Sequence, residues 1–143
     1  MRLDARRHAE KNIETVDGLE GGDMLTSFIL VGIGGFLGAN ARFIVSNWIK
    51  KKCSSSFPVA TFVVNSVGSF LLGLFIGLHV SNNLQLLLGT GFLGAFTTFS
   101  TFQLESVQLA AEKKKKLSII YLASSYTIGL LLAFLAYKLG ILF

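Results

Sequence analysis

Fourteen consecutive residues carry the densest chemistry in this sequence: Gly89-Thr90-Gly91-Phe92-Leu93-Gly94-Ala95-Phe96-Thr97-Thr98-Phe99-Ser100-Thr101-Phe102. Three glycines and five hydroxyl side chains fall inside an otherwise apolar stretch. Glycine and β-branched threonine both disfavour helix. In a lipid environment the backbone groups they free find partners only within protein or in a wet cavity. A helix broken here would offer carbonyl oxygens to a cation and amide N–H groups to an anion. Local packing flexibility is the plainer alternative.

Several side chains elsewhere could serve such a site. Phe99 and Phe102 are three apart and share a helical face. Phenyl rings are electropositive at their edges, so edges turned toward a path can accept a small anion without a fixed cation, although two such rings in a helix more often serve packing. Tyr121 and Ser125 lie four apart, beside Ser124, Tyr126 and Thr127; their hydroxyls can replace water around an ion or bond across helices. Asn65, Ser69, Gly73 and Gly77 recur every four residues and form one stripe. On that face Asn65 is either interhelical glue or an amide offered to a ligand. Arg42 is the only basic residue well inside an apolar stretch, a position that costs from about 2.5 kcal/mol at a membrane centre. It suits an anchor that snorkels toward Lys50 or an anion-attracting vestibule. Glu105 is the one acid within a span; with no second carboxylate beside it, acid–base catalysis is unsupported.

These residues need helices to position them. Four apolar stretches follow one another, roughly from Leu25 to Ile49, Pro58 to His79, Leu84 to Ala111 and Leu117 to Tyr137. Each reaches the ~20 residues that an α-helix needs to cross a bilayer. Membrane β-barrels need alternating segments, and Leu71-Leu72-Gly73-Leu74-Phe75-Ile76 does not alternate. The expected fold is an all-α membrane protein of four transmembrane helices with a break in the third. Short linkers predict antiparallel packing of successive helices. The steps Gly34–Gly38 and Gly73–Gly77 mark close interfaces.

Residues 1–23 differ in kind, holding six of the eight acids together with Arg2, Arg6, Arg7 and Lys11. They are expected to form a disordered polar extension, with Met24 a natural start for the four-helix domain over residues 24–143. Lys50 to Lys52 and Lys113 to Lys116 follow the first and third spans and so share one side of the membrane. Without the extension the positive-inside rule places both lysine loops in the cytoplasm; with it, the bias softens enough for insertion in either direction.

Composition narrows the function classes. Hydrophobic residues make up 52% of the 143 and charged residues only 15%, too few for a water-soluble surface. The net charge of +5 does not point to nucleic acid, because the lysines cap apolar runs as juxtamembrane charge does. Cys53 stands alone, and neither His8 nor His79 has a nucleophile or metal partner nearby, so neither a cysteine metal site nor an enzyme is expected.

At this level of detail the sequence resembles the CrcB/Fluc fluoride channels. The resemblance runs from Met24 onward. Its marks are Gly34-Gly35-Phe36-Leu37-Gly38-Ala39 leading to Arg42, Pro58 to Asn65 with Gly68-Ser69-Phe70, and Gly91-Phe92-Leu93-Gly94 followed by Thr97 to Phe102 and Glu105. The resemblance implies a dual-topology antiparallel dimer in the plasma membrane with two pores at the subunit interface. It implies a structural sodium ion held by the carbonyls of Gly94 and Thr97. It assigns Phe99, Phe102 and Asn65 to the ion path, and Ser100, Thr101, Tyr121 and Ser125 to a polar track; Arg42 as a vestibule charge and Glu105, as a cap on a polar path or the partner of a basic group, complete the expected ion pathway. Gly129 stands where related chains can carry a further hydroxyl. Fluoride and membrane lipid are the implied partners, with an antiparallel homodimer or a heterodimer with an oppositely oriented relative. A four-helix proton-coupled multidrug exporter is the main rival, yet it needs a membrane-embedded carboxylate where the first span has Arg42 and no acid. A non-conducting scaffold subunit is the other.

Overall fold

The computed structural model describes the backbone of residues 2–142 and the side chains of residues 23–142. The expectation of a disordered extension over residues 1–23 falls on side chains outside these described residues, apart from Asp23. The described chain is all helical: α1 Arg2–Lys52, α2 Val59–Gly77, α3 Asn82–Leu84, a π-helix Gln85–Leu93, α4 Gly94–Phe96, α5 Phe99–Ala111 and α6 Lys115–Ile141. Among the described residues, three segments are long and apolar enough to cross a membrane: 23–52 within α1, α2 and α6. Most of their residues are unburied, and bulky side chains such as Phe28, Phe36 and Phe43 on α1 and Leu130 and Phe134 on α6 face outward. Apolar surface on this scale requires cover other than water. The chain is a multi-pass membrane protein.

The remaining apolar stretch, read as one span over 84–111, is divided into pieces, none of which is long enough to cross alone. Its first half is wound as a π-helix, a rare form that recurs at functional sites. The winding accompanies very close packing. A Cβ added at Gly34 would strike the Leu87 carbonyl, and one at Gly38 the Phe92 carbonyl. The α1 backbone therefore lies directly on the π-helix backbone, and Phe92 stacks on Phe96 with ring centroids 5.8 Å apart.

The second half of this stretch packs elsewhere. While the π-helix and α4 lie against α1, α5 lies mainly against α6. The chain thus changes partner at Thr97 and Thr98. Successive helices pack at α1–α2 and α5–α6 as short linkers predict, but the principal partner of α2 is α6. Glycine accounts for the difference: Gly73 abuts the Ala133 carbonyl, and Gly77 and Gly140 meet backbone to backbone. Contact this intimate outweighs the weak preference that a short loop imposes.

The ends of the elements follow from local chemistry. Pro58, which lacks an N–H, sits immediately before α2. At the end of α5, Lys113 adopts a positive φ of 62°. Its N–H bonds the Ala110 carbonyl at 3.2 Å, and that of Lys114 bonds the Leu109 carbonyl at 2.9 Å, a paired closure that satisfies the last carbonyls. Lys114 Nζ reaches Ser56 Oγ at 3.4 Å, which joins the two lysine-bearing loops at one end of the molecule.

Candidate functional site

The partner change at Thr97–Thr98 creates the site. Thr97 is extended (φ −76°, ψ 158°) and so is Thr98 (φ −146°, ψ 121°). Such backbone leaves peptide groups without helical partners, and in an apolar setting each must be satisfied. Side chains from α1 and α2 do this, and Thr98 itself caps the helix that follows. Arg42 Nη1 on α1 donates to the Thr97 carbonyl at 3.3 Å. Asn65 on α2 pairs with both faces of Thr98: its Nδ2 donates to the Thr98 carbonyl at 3.0 Å, and its Oδ1 accepts the Thr98 N–H at 2.8 Å. The Thr98 hydroxyl caps α5 by accepting the Thr101 N–H at 3.3 Å. The same hydroxyl lies 3.1 Å from Thr101 Oγ1 and 3.4 Å from Ser100 Oγ.

Beside the break is a cavity of about 320 Å³ that collects residues from α2, the π-helix, both sides of the break and α6. Asn65, Gly94, Thr97, Phe99, Phe102 and Ser125 all line it. Phe99 is 66% exposed, whereas Phe102 is 4% exposed. The two rings lie 6.2 Å apart at 42°, and the edge of one ring of the Phe102–Tyr126 pair meets the face of the other at 89°. Ser125 Oγ is buried with no hydrogen-bond partner. A buried hydroxyl in that condition costs free energy, and a bound acceptor would relieve it.

A second polar group lies on the far side of Phe102. Glu105 accepts from the Thr61 hydroxyl at 3.0 Å and the Tyr121 hydroxyl at 2.9 Å. Tyr121 is fully buried, its ring 5.1 Å from that of Phe102 and 5.3 Å from that of Phe57. Glu105 also borders two openings toward the lysine-bearing loops, one flanked by Ser56 and Lys114 and the other by Lys50 and Cys53.

The structure therefore divides the residues singled out from sequence into three sets, with Arg42 apart from them. One faces the cavity. Ser100 and Thr101 gather on the Thr98 hydroxyl instead, and Tyr121 and Glu105 belong to the separate buried network. Arg42, read from sequence as an anchor or a vestibule charge, reaches inward to the break. Thr98 was not singled out, although a hydroxyl residue just before a resuming helix is an N-cap signal. Nor was Thr61, whose role depends on a residue 44 positions away.

Among the described residues no cluster of three His, Cys, Asp or Glu could hold a metal. A cation at the break would depend on oxygen donors from the backbone, which suits a hard alkali ion. Gly94 is exposed and has open space where a side chain would be. The Thr97 carbonyl gives one lone pair to Arg42 and keeps a second.

A family profile described as CrcB-like protein, Camphor Resistance (CrcB) matches residues 29–137. The chain is 56% identical over 112 residues to "Fluoride-specific ion channel FluC 2" of Bacillus cereus (strain ATCC 10987 / NRS 248), covering 78% of this chain and 95% of that protein. It is 47% identical over 112 residues to "Fluoride-specific ion channel FluC 1" of Geobacillus kaustophilus, covering 78% of this chain and 96% of that one. It is 45% identical over 118 residues to "Fluoride-specific ion channel FluC 1" of Listeria monocytogenes serotype 4b, covering 82% of this chain and 100% of that one. With its glycine-lined packing, its interrupted apolar stretch and this agreement over almost the whole length of its relatives, the chain belongs to the CrcB family.

Proposed function

We propose that this chain is a fluoride-selective ion channel of the plasma membrane. The observation that carries the reading is the cavity at the break, which a buried, unpartnered Ser125 hydroxyl lines together with Phe99 and Phe102. The names of the relatives point the same way. Fluoride is small and strongly hydrated, so a pore has to exchange its water for N–H, O–H and ring-edge contacts that still release it. Hydroxyls and phenyl edges are donors of that kind, and among the described residues no lysine or arginine lines this cavity to trap the anion.

In this reading the interrupted stretch makes the fourth crossing as a broken helix. Phe99, left largely exposed beside the cavity, is covered by a second copy in antiparallel orientation, so that the path runs along the subunit interface past Phe99, Phe102, Asn65 and Ser125. The hydroxyls of Ser100 and Thr101 and the Tyr121–Glu105 pair flank that path. Arg42 lends positive charge near the break. A sodium ion, when bound by the Gly94 and Thr97 carbonyls of both copies, supplies a fixed charge that holds the two breaks together. Transport needs no energy source: a membrane potential of 100 mV, negative inside, drives one anion outward with about 2.3 kcal/mol. Fluoride that enters as the neutral acid leaves as the ion, which lowers its cytoplasmic level.

Purified protein in liposomes tests the proposal. Fluoride efflux under an imposed potential, with chloride excluded, is the expected result. Proton-dependent uptake of an organic cation would instead favour an exporter, and absence of either flux a scaffold subunit. Crosslinking of the chain expressed alone is expected to trap a dimer; a strictly monomeric result would favour a heterodimer with an oppositely oriented relative.

A further inference from the structure

Helix geometry attaches a specific consequence to the Asn65–Thr98 pair. In an unbroken α-helix the N–H of residue 98 closes onto the carbonyl of residue 94. Here that N–H is taken by Asn65 Oδ1 at 2.8 Å, and Asn65 Nδ2 holds the Thr98 carbonyl at 3.0 Å. The amide side chain reproduces both hydrogen-bonding edges of a peptide group, so Thr98 is satisfied without the helix. The Gly94 carbonyl loses the donor that would have engaged it. The arrangement is complete within one chain, because its two partners lie 33 residues apart on α2 and at the break.

We propose that Asn65 is a positioning residue for the cation site: by pairing with both edges of Thr98 it diverts an N–H from Gly94 and keeps that carbonyl free to bind an alkali cation. The assignment rests on the proposed sodium site and differs from a role as a fluoride contact. An amide nitrogen carries two N–H groups, and Asn65 also lines the cavity. Its remaining N–H can face an anion while the other holds the break. The two roles make different demands. A fluoride contact needs only the donor, whereas diversion of the Thr98 N–H needs the acceptor Oδ1.

The test is the gain in thermal midpoint of purified protein when sodium replaces N-methyl-D-glucamine, a cation too large for the site. A ligand that binds only the folded state raises the midpoint through mass action. Wild type is expected to show the gain. Asn65→Leu, close in size and unable to hydrogen-bond, is expected to keep less than about a third of it. Asn65→Asp, which retains an acceptor for the Thr98 N–H, is expected to keep most of it even where its fluoride flux falls. A full sodium gain in Asn65→Leu overturns the inference and leaves the channel and its cation site standing. If Asn65→Leu does not fold, Asn65→Asp decides, and loss of its gain overturns the inference. No sodium gain in wild type removes the cation site itself.

Discussion

The α2–α6 contact makes a quantitative prediction about two glycines on its facing helices. A Cβ built at Gly73 meets the Ala133 carbonyl oxygen, with the Ala133 C and Cα both 2.9 Å away. All three are backbone atoms of a helix and cannot swing aside, so α2 and α6 must part locally. Overpacking of this kind costs about 1–3 kcal/mol, and the backbone obstacle puts Gly73→Ala toward the upper end. Replacing glycine by alanine within a helix returns about 1 kcal/mol, leaving a net loss of about 1–2 kcal/mol. Gly129, across the same contact, meets only Ser69 Oγ at 3.4 Å. Gly129→Ala keeps the propensity gain of about 1 kcal/mol with little to offset it. At about 2–4 °C per kcal/mol for a chain of this size, the two midpoints are expected to separate by roughly 5–10 °C, with Gly73→Ala below wild type and Gly129→Ala above it. Thermal unfolding of the purified protein in detergent, followed by Trp48 fluorescence, measures both. Shifts of the same sign and similar size would refute the argument that backbone proximity at Gly73 holds the two helices together.

Three further outcomes are expected. Phe99→Ile removes a ring edge at the cavity and is expected to lower fluoride flux in liposomes at least about tenfold, the equivalent of ~1.4 kcal/mol of barrier, while crosslinking still recovers the dimer; unchanged flux would take Phe99 out of the path. Tyr121→Phe deletes the 2.9 Å hydrogen bond to Glu105 without changing the ring, and is expected to cost about 1.5–3 kcal/mol because the acceptor is a carboxylate. A stability equal to wild type would show that the bond contributes nothing. Cys53 is the only cysteine and is exposed beside the lysine-bearing loop, so labelling intact cells with a membrane-impermeant maleimide reports sidedness. Insertion in both orientations predicts that about half the chains are labelled before permeabilisation, and full or zero labelling would establish a single orientation.

Much of the architecture is legible in the sequence because lipid acts on composition directly. A hydrocarbon core admits long apolar runs and excludes charge wherever those runs occur, so the apolar stretches in α1, α2 and α6 and the lysine runs at the end of α1 and the start of α6 can be read without knowing any contact. The unusual string from Gly89 to Phe102 also announces itself, since glycines and hydroxyls inside such a run leave backbone groups that need partners. Pairing is a different matter. The stripe Asn65, Ser69, Gly73, Gly77 identifies a packing face, but periodicity reports the polarity of a face and not what covers it. Only the tertiary structure puts Gly73 on α6 and Asn65 on Thr98. Glu105 shows the same limit. In sequence it is an isolated acid with no visible partner, and in the fold it receives hydroxyls from residues 44 positions before it and 16 after. The physical reason is that burial costs are local and additive along the chain, whereas a hydrogen bond between distant residues exists only where packed helices bring donor and acceptor to within about 3 Å.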